Sequence, residues 1–393
     1  MNPRTHSRST PTAPAPAAVL CGLGASLPPT VVGNAEIIRN GQLDTSDEWI
    51  TTRTGISRRR RADARLSTGD LATAAARAAL RSAAESAESA ESAESAARRS
   101  GGPPAPARPD LLLLATTTPD RPCPATAPDV AARLGLGPIP AFDLAAVCSG
   151  FLYALITADA LVRAGVCLAP LVVAAEKYST IIDPFDRDTA ALFGDGAAAV
   201  LLRAGTAAEP GAVLATDWGS DGGGRDLITV RAGGASCPEP CGLPRDERYF
   251  RMSGRQVYAR AVRQMTESAR RVMALTGWQA ADVEAFVGHQ ANQRILDAVA
   301  DRLEIAPVRR LGNIAELGNT AAASIPLAMA DAVAGQAARP GAPTVLTAFG
   351  GGLTWAAVTL RWPDVVVRTE PPESAAPRQQ LSPLSCQPSC QPS

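Results

Sequence analysis

Cys148 lies where a short apolar run passes into a helical pattern. Residues 142–147 form a β-like stretch, and Cys148-Ser-Gly then leads into apolar residues at helical spacing from Phe151 onward. The start of a helix offers unpaired backbone N–H groups and a positive dipole end, and both favour an anion. We therefore expect the helix to lower the pKa of the Cys148 thiol and make it a nucleophile near neutral pH. A buried structural cysteine is the alternative.

The second half of the chain supplies partners for such a nucleophile. Of the two histidines, His6 lies in a polar N-terminal extension, so His289 is the candidate base and a structural histidine is the alternative. His289 ends a predicted strand, where catalytic groups collect in α/β sheets. Asn319 lies in a glycine-flanked turn before a helix, where a simple helix cap is the alternative. Gly350-Gly-Gly can present a backbone N–H to an oxyanion, or can simply form a turn.

The composition indicates a globular protein. The chain has 393 residues, 46% of them hydrophobic, and a formal net charge of zero. No uniform basic field points to nucleic acid, and no apolar run of about 18 residues marks a membrane span. The polar N-terminus lacks the apolar core of a secretory signal, which predicts a cytoplasmic protein whose eight cysteines need not form disulfides.

Cysteine spacing gives little support for a zinc site. Cys237/Cys241 and Cys386/Cys390 share a C-x3-C spacing, whereas zinc sites more often use C-x2-C or C-x4-C with defined partners. We expect these cysteines to be structural or incidental, and we expect no metal in this protein.

Two further motifs have simple interpretations. Gly22 and Gly24 begin a G-x-G-x-x-G match, but Leu27 replaces the third glycine and two prolines follow, so a dinucleotide fold is poorly supported. The four arginines at 58–61 predict a solvated surface, with a patch for an acidic carrier protein or a nucleotide phosphate as the alternative.

Predicted strands and helices alternate in two successive sets. The sequence predicts a disordered tail at 1–17, an α/β half at 18–205, a second half at 206–363 and a disordered tail at 364–393. Ala-Glu-Ser repeats make residues 83–108 a low-complexity insertion, read as an extended helix end and a mobile loop.

Several motifs together resemble a known family. They are Val147-Cys-Ser-Gly, Gly288-His-Gln-Ala-Asn, Leu317-Gly-Asn-Thr-Ala-Ala-Ala-Ser and Phe349-Gly-Gly-Gly-Leu-Thr-Trp, supported by segments beginning at Asp44 and Asp183. In order and spacing, from about residue 19 to 361, they resemble β-ketoacyl-acyl-carrier-protein synthase III, an initiating condensing enzyme of the thiolase superfamily. The resemblance implies an α/β fold of the thiolase-like five-layered αβαβα type, with two duplicated halves, and a homodimer.

The resemblance also implies the roles of individual residues. Cys148 would accept the acyl group, His289 and Asn319 would promote decarboxylation, and the backbone N–H groups of Cys148 and Gly351 would form the oxyanion hole. Acyl-CoA is implied as a substrate, with no separate cofactor and with acyl carrier protein as the partner. The binding residues implied are Trp49 and Arg187 for adenine, Arg53 for a CoA phosphate, Asn292 for the tunnel, and Gln290 and Arg294 for the carrier protein.

The implied reaction is a decarboxylative Claisen condensation of an acyl-CoA primer with malonyl-acyl carrier protein, which initiates fatty-acid synthesis. Cys123 stands where family members often have a phenylalanine lining the partner subunit's acyl pocket, so the primer could be acetyl or something larger or branched. At a second basic position for the carrier protein stands Ala259, with Arg260 beside it. The alternatives are a secondary-metabolic relative that primes a polyketide or acylates an alcohol or amine, and an inactive structural homologue. The latter is disfavoured because the cysteine and the histidine are both present.

Overall fold

A computed structural model describes residues 16–95, 108–238 and 243–373 of the chain, with the backbone alone described at 89–95 and 246. Cys241, Cys386, Cys390, His6 and the middle of the predicted insertion lie outside these residues. The elements of the first half are β1 (Pro16–Ser26), β2 (Thr30–Gly33), α1 (Asn34–Gly41), α2 (Asp47–Thr54), β3 (Arg58–Arg61), α3 (Thr68–Ser95), β4 (Leu111–Ala115), α4 (Ala127–Arg133), β5 (Ala141–Leu144), α5 (Gly150–Arg163), β6 (Pro170–Glu176) and β7 (Gly196–Thr206).

The second half contributes a further set of strands and helices. They are β8 (Val213–Ser220), β9 (Ile228–Thr229), α6 (Arg245–Arg248), β10 (Arg251–Met252), α7 (Gly254–Thr276), β11 (Ala285–Gly288), α8 (Gln293–Arg302), α9 (Ile314–Leu317), α10 (Ser324–Ala334), β12 (Pro343–Gly350), β13 (Thr354–Arg361) and β14 (Val367–Thr369). Within the described ranges, none of the helices is long and apolar enough to cross a bilayer.

The two main sheets are stacked with helices between and outside them. One has six strands in the order β14-β1-β7-β6-β4-β5, and the other has four in the order β11-β12-β13-β8. Helices α5 and α10 lie between the sheets and share one apolar core with both. Helices α3 and α4 cover the outer face of the first sheet, and α7 and α8 cover that of the second. This is the predicted αβαβα arrangement, and the fold class is confirmed.

The paired glycines of β1 serve helix packing. A Cβ at Gly22 would lie 2.5 Å from the carbonyl oxygen of Ala79, and one at Gly24 would overlap the Ala79 backbone nitrogen. Both residues therefore let α3 lie directly against β1, since only glycine permits such a close backbone approach. No dinucleotide loop is formed here.

The arginine run is not the solvated surface that we predicted. Residues 58–61 form β3, which pairs with β2, and strand alternation turns Arg59 inward to 0% exposure. Its guanidinium donates to Val32 O at 3.2 Å, to Asn34 Oδ1 at 2.7 Å and to the Ala191 carbonyl. Burial lowers the pKa of Arg59 to about 10.

The C-terminal segment is ordered further than predicted. Residues 367–369 form β14, which pairs in parallel with β1 at the edge of the six-stranded sheet. Arg368 forms an ion pair with Glu85 on α3, and the Val366 N–H donates to Ser86 Oγ at 3.0 Å. The predicted disordered tail therefore does not begin at residue 364, because this stretch packs against the Ala-Glu-Ser part of α3.

Candidate active site

Cys148 lies in a single tight turn, residues 147–149, directly before α5. Val147 has φ of 47°, a left-handed conformation that costs energy for a β-branched residue. The end of β12 closes on this turn, since a Cβ at Gly350 would lie 2.8 Å from Cys148 N and 3.1 Å from Ser149 N. The sequence Gly350-Gly351 thus runs alongside the backbone of the nucleophile turn.

The pKa of Cys148 moves opposite to our prediction. Burial of the thiol, and secondly the charge of Glu176, raise the pKa of Cys148 well above its ordinary value. The start of α5 favours the thiolate, but desolvation outweighs it. The Cys148 thiol is therefore neutral at rest, and the predicted lowering of its pKa is wrong.

His289 follows β11 and is 2% exposed. Its Nδ1 lies 2.7 Å from Ser324 Oγ, whereas its Nε2 has no hydrogen-bond partner among the described residues. Burial lowers the pKa of His289 to about 3, so the imidazole is neutral at physiological pH. The side chain therefore carries no charge, and Nε2 is its ring nitrogen without a described partner.

Backbone hydrogen bonds fix the position of Asn319. Its N–H donates to Leu192 O at 2.9 Å, and its carbonyl accepts from Gly194 N at 3.0 Å. The side-chain Oδ1 accepts from the Ala321 N–H at 2.9 Å. Because the oxygen of the amide is engaged, its Nδ2 is left as the group that can donate.

The turns of these three residues meet at one place. Cys148 and Ala321 belong to one buried cluster, and a Cβ at Gly150 would lie 3.4 Å from the Ala322 side chain. His289 joins through Ser324, the first residue of the helix that follows this turn. The structure thus brings the predicted cysteine, histidine and asparagine segments together.

Three aromatic rings line the Cys148 cluster. Tyr178 stacks on Phe193 with centroids 4.4 Å apart, and Phe250 meets both rings edge-on at 5.5 and 4.9 Å. These residues come from three separate segments, so the sequence offered no spacing that could reveal them.

Glu176 is a second feature that the sequence analysis missed. It ends the fully buried strand β6 and accepts from Thr118 Oγ1 at 2.8 Å and Thr117 N at 3.1 Å. Burial raises the pKa of Glu176 to about 7. A charged residue ending an otherwise apolar strand was the available signal.

The residues predicted to bind CoA gather on α2 and its neighbours. Trp49 is 40% exposed, and the guanidinium carbons of Arg187 and Arg53 lie 5.1 Å and 5.9 Å from its ring centroid. Asn292 Nδ2 donates to Arg53 O at 3.0 Å, while its Oδ1 caps α8. Arg187 stacks directly on Trp49, so binding a base between them requires the arginine to move outward.

The predicted carrier-protein residues differ from one another. Arg294 is exposed at the start of α8 and forms no ion pair with any residue in the described ranges. Gln290 is 0% exposed, donates to Gly288 O at 2.6 Å and accepts from Asn313 N at 3.1 Å. Its side chain cannot reach a docked protein, so that prediction is wrong. Arg260 is paired with Asp221 at 3.1 Å.

Comparison with known proteins identifies a family. The family signature described as 3-oxoacyl-[acyl-carrier-protein (ACP)] synthase III matches residues 142–222, and that of its C-terminal part matches residues 273–362. The chain is 52% identical over 345 residues to β-ketoacyl-[acyl-carrier-protein] synthase III 2 of Streptomyces coelicolor, covering 88% of this chain and 94% of the relative. It is 48% identical to β-ketoacyl-[acyl-carrier-protein] synthase III of Pseudomonas aeruginosa, covering 89% of this chain and 98% of that protein.

Solved structures give the same result. The crystal structure of the Pseudomonas aeruginosa PAO1 synthase III superimposes with a TM-score of 0.77 at 48% identity, covering 89% of this chain and 99% of the other. The priming β-ketosynthase of the R1128 polyketide pathway superimposes with a TM-score of 0.77 at 32% identity, covering 90% and 98%. The chain therefore belongs to the 3-oxoacyl-[acyl-carrier-protein] synthase III family of condensing acyltransferases.

Proposed function

We propose that this protein condenses an acyl-CoA primer with malonyl-acyl carrier protein through an acyl-Cys148 intermediate, and so initiates fatty-acid synthesis. One observation carries the proposal. The turn of Cys148 meets the segments of His289 and Asn319, and each of these two side chains has one hydrogen-bonding atom engaged by the protein and one left over.

The first step is acyl transfer to the thiol. The Cys148 sulfur bonds to the thioester carbonyl carbon, the bond from that carbon to the CoA sulfur breaks, and the thiol proton leaves to the departing CoA sulfur. The oxyanion formed on the way is stabilised by the backbone N–H groups of Cys148 and Gly351. The close approach of Gly350 to Cys148 N supports this pairing.

The second step is decarboxylation and carbon–carbon bond formation. Loss of CO2 from the malonyl group leaves its electron pair on the thioester enolate, whose oxygen accepts from His289 Nε2–H and Asn319 Nδ2–H. The enolate carbon then attacks the acyl-Cys148 carbonyl, the bond from that carbon to the Cys148 sulfur breaks, and the released thiolate takes one proton from water. A neutral imidazole suits this role, because it donates a hydrogen bond to the enolate oxygen and keeps its proton.

Substrate binding is assigned to two groups of residues at the surface. Trp49 and Arg187 are proposed to hold the adenine ring, Arg53 a CoA phosphate, and Asn292 the wall of the tunnel; their grouping around α2 supports this. Arg294 is proposed to receive the acidic carrier protein, because its exposed charge is not neutralised by a described neighbour.

We propose that the protein acts as a homodimer in the cytoplasm. β5 is an edge strand of the six-stranded sheet, and Phe142 on it is 41% exposed, which supports pairing with a second copy through this edge. Cys123, also exposed, is proposed to line the partner's acyl pocket. A cysteine leaves more room there than a phenylalanine, so primers larger than acetyl or branched are included.

Polyketide priming and transfer to an alcohol or amine are the competing reactions. The identity to a polyketide-priming ketosynthase is 32%, against 48–52% for the relatives named β-ketoacyl-[acyl-carrier-protein] synthase III, so we favour fatty-acid initiation.

The test is intact-protein mass after mixing with acyl-CoAs of increasing length and branching, with Cys148→Ala in parallel. We expect a mass gain that requires Cys148, and its size names the accepted primer. No adduct with any acyl-CoA would sink the proposal. An adduct that malonyl-acyl carrier protein does not discharge would favour acyl transfer to another acceptor.

A further inference from the structure

Ser324 lies against the back of the catalytic histidine. It is the first residue of α10, is 1% exposed and has its Oγ 2.7 Å from His289 Nδ1. The backbone N–H of Gln290 also points at this oxygen, at 3.3 Å. The buried Gln290 side chain, bonded to Gly288 O and Asn313 N, fixes the backbone that carries this N–H.

The Ser324 hydroxyl has one proton and two lone pairs to place. One lone pair accepts the Gln290 N–H, so the proton needs an acceptor within reach. Among the described residues, His289 Nδ1 is the acceptor that Ser324 Oγ contacts. If Nδ1 carried a proton and donated instead, the hydroxyl proton would be buried without an acceptor, which is unfavourable.

The imidazole is neutral, so it carries one ring proton. With Nδ1 accepting from the serine, that proton is on Nε2. We propose that Ser324 is a positioning residue that holds His289 in the Nε2–H tautomer, with the donor directed away from α10.

This inference rests on the proposed function, because the tautomer matters only if His289 must donate a hydrogen bond. The Nε2–H tautomer offers a proton to the oxygen of the malonyl thioester, where negative charge develops. The opposite tautomer would present a lone pair to that charge and repel it. Ser324 should therefore affect discharge of the acyl-enzyme by malonyl-acyl carrier protein and leave formation of the acyl-enzyme unaffected.

Single-turnover kinetics test the separation of the two steps. In Ser324→Ala, we expect acyl-Cys148 to form at the wild-type rate and its discharge by malonyl-acyl carrier protein to slow about 10- to 100-fold, as loss of a buried hydrogen bond predicts. Ser82→Ala is the matched control, because Ser82 is also fully buried and also accepts a backbone N–H, from Leu23. Equal discharge rates in wild type and Ser324→Ala would overturn the inference.

A spectroscopic measurement on the otherwise unaltered protein keeps the inference testable if Ser324→Ala does not fold. The chain has two histidines, so ¹⁵N-histidine labelling with His6→Gln leaves the signals of His289 alone. We expect an unprotonated Nδ1 and a protonated Nε2, and a proton on Nδ1 would overturn the inference. Failure of the proposed function would look different, since wild type would then form no acyl-Cys148 whatever the tautomer.

Discussion

Gly350→Ala tests the contact that we propose sets the oxyanion hole. A Cβ at this position would lie 2.8 Å from Cys148 N, whereas ordinary contacts begin at 3.4 Å, so β12 and the nucleophile turn must separate by about 0.6 Å. Misplacement of reacting groups by about 1 Å can cost roughly 100-fold in rate. We expect acyl-Cys148 to form about 10- to 100-fold more slowly in this variant.

Rapid-quench intact mass at saturating acyl-CoA measures this rate without a contribution from binding. Gly254→Ala is the control, because a Cβ there meets no atom within 4 Å. Thermal unfolding accompanies both variants, since overpacking costs about 1–3 kcal/mol and the protein must be shown to be folded. An acylation rate within about twofold of wild type in a folded Gly350→Ala protein would show that this contact does not position the N–H groups.

Three other predictions concern stability and binding. Burial raises the pKa of Glu176 from 4.5 to about 7, so its contribution to stability is present below pH 4.5 and is lost as the pH rises towards 7. The free energy of unfolding should fall by about 3 kcal/mol across that pH window. Denaturant titrations at several pH values should find a weaker pH dependence of this free energy in Glu176→Gln, and an unchanged pH dependence would exclude this carboxyl as its source. Arg59→Lys should raise the KM for acyl-CoA several-fold, because lysine cannot bridge Val32, Asn34 and Ala191 as arginine does. Asn34 in turn holds Asp47 at the start of α2, the helix that carries Trp49 and Arg53. An unchanged KM with a lowered Tm would leave Arg59 with a purely structural role. Deleting residues 364–393 should lower the Tm by a few degrees, because the deletion removes β14 and the ion pairs that this segment forms with α3. Formation of acyl-Cys148 should be unchanged. An unaltered Tm would show that this strand adds no stability.

The sequence was informative where a motif lies at the end of a strand. Cys148 and His289 follow β5 and β11 and, like Asn319 after α9, stand in turns that lead into a helix. Catalytic groups in an α/β fold gather at such strand ends. Whereas the family resemblance implied the five layers, the alternation of strands and helices predicted the two α/β halves, because periodicity reflects which faces are buried. These features depend on local spacing alone.

Features that depend on distant packing could not be predicted in this way. The pKa of Cys148 is raised because Tyr178, Phe193 and Phe250 enclose it, and they come from segments far apart in the chain. The burial of the Gln290 side chain and the pairing of β14 with β1 likewise depend on residues that are distant in the sequence. Arg59 is different, because its burial could have been predicted locally. Residues alternate in direction along a strand, so reading the four arginines as a strand would have turned one or two of them inward.

Decarboxylative condensation is tested most directly by following the malonyl carboxylate. Acyl-enzyme prepared from acyl-CoA is mixed with malonyl-acyl carrier protein labelled in its free carboxyl group, and released CO2, acyl-Cys148 and carrier-bound product are measured together. We expect one CO2 and one β-ketoacyl-carrier product for each acyl-Cys148 consumed, with both slowed together in His289→Ala and Asn319→Ala. Loss of the acyl group from Cys148 without CO2 release would contradict a decarboxylative condensation.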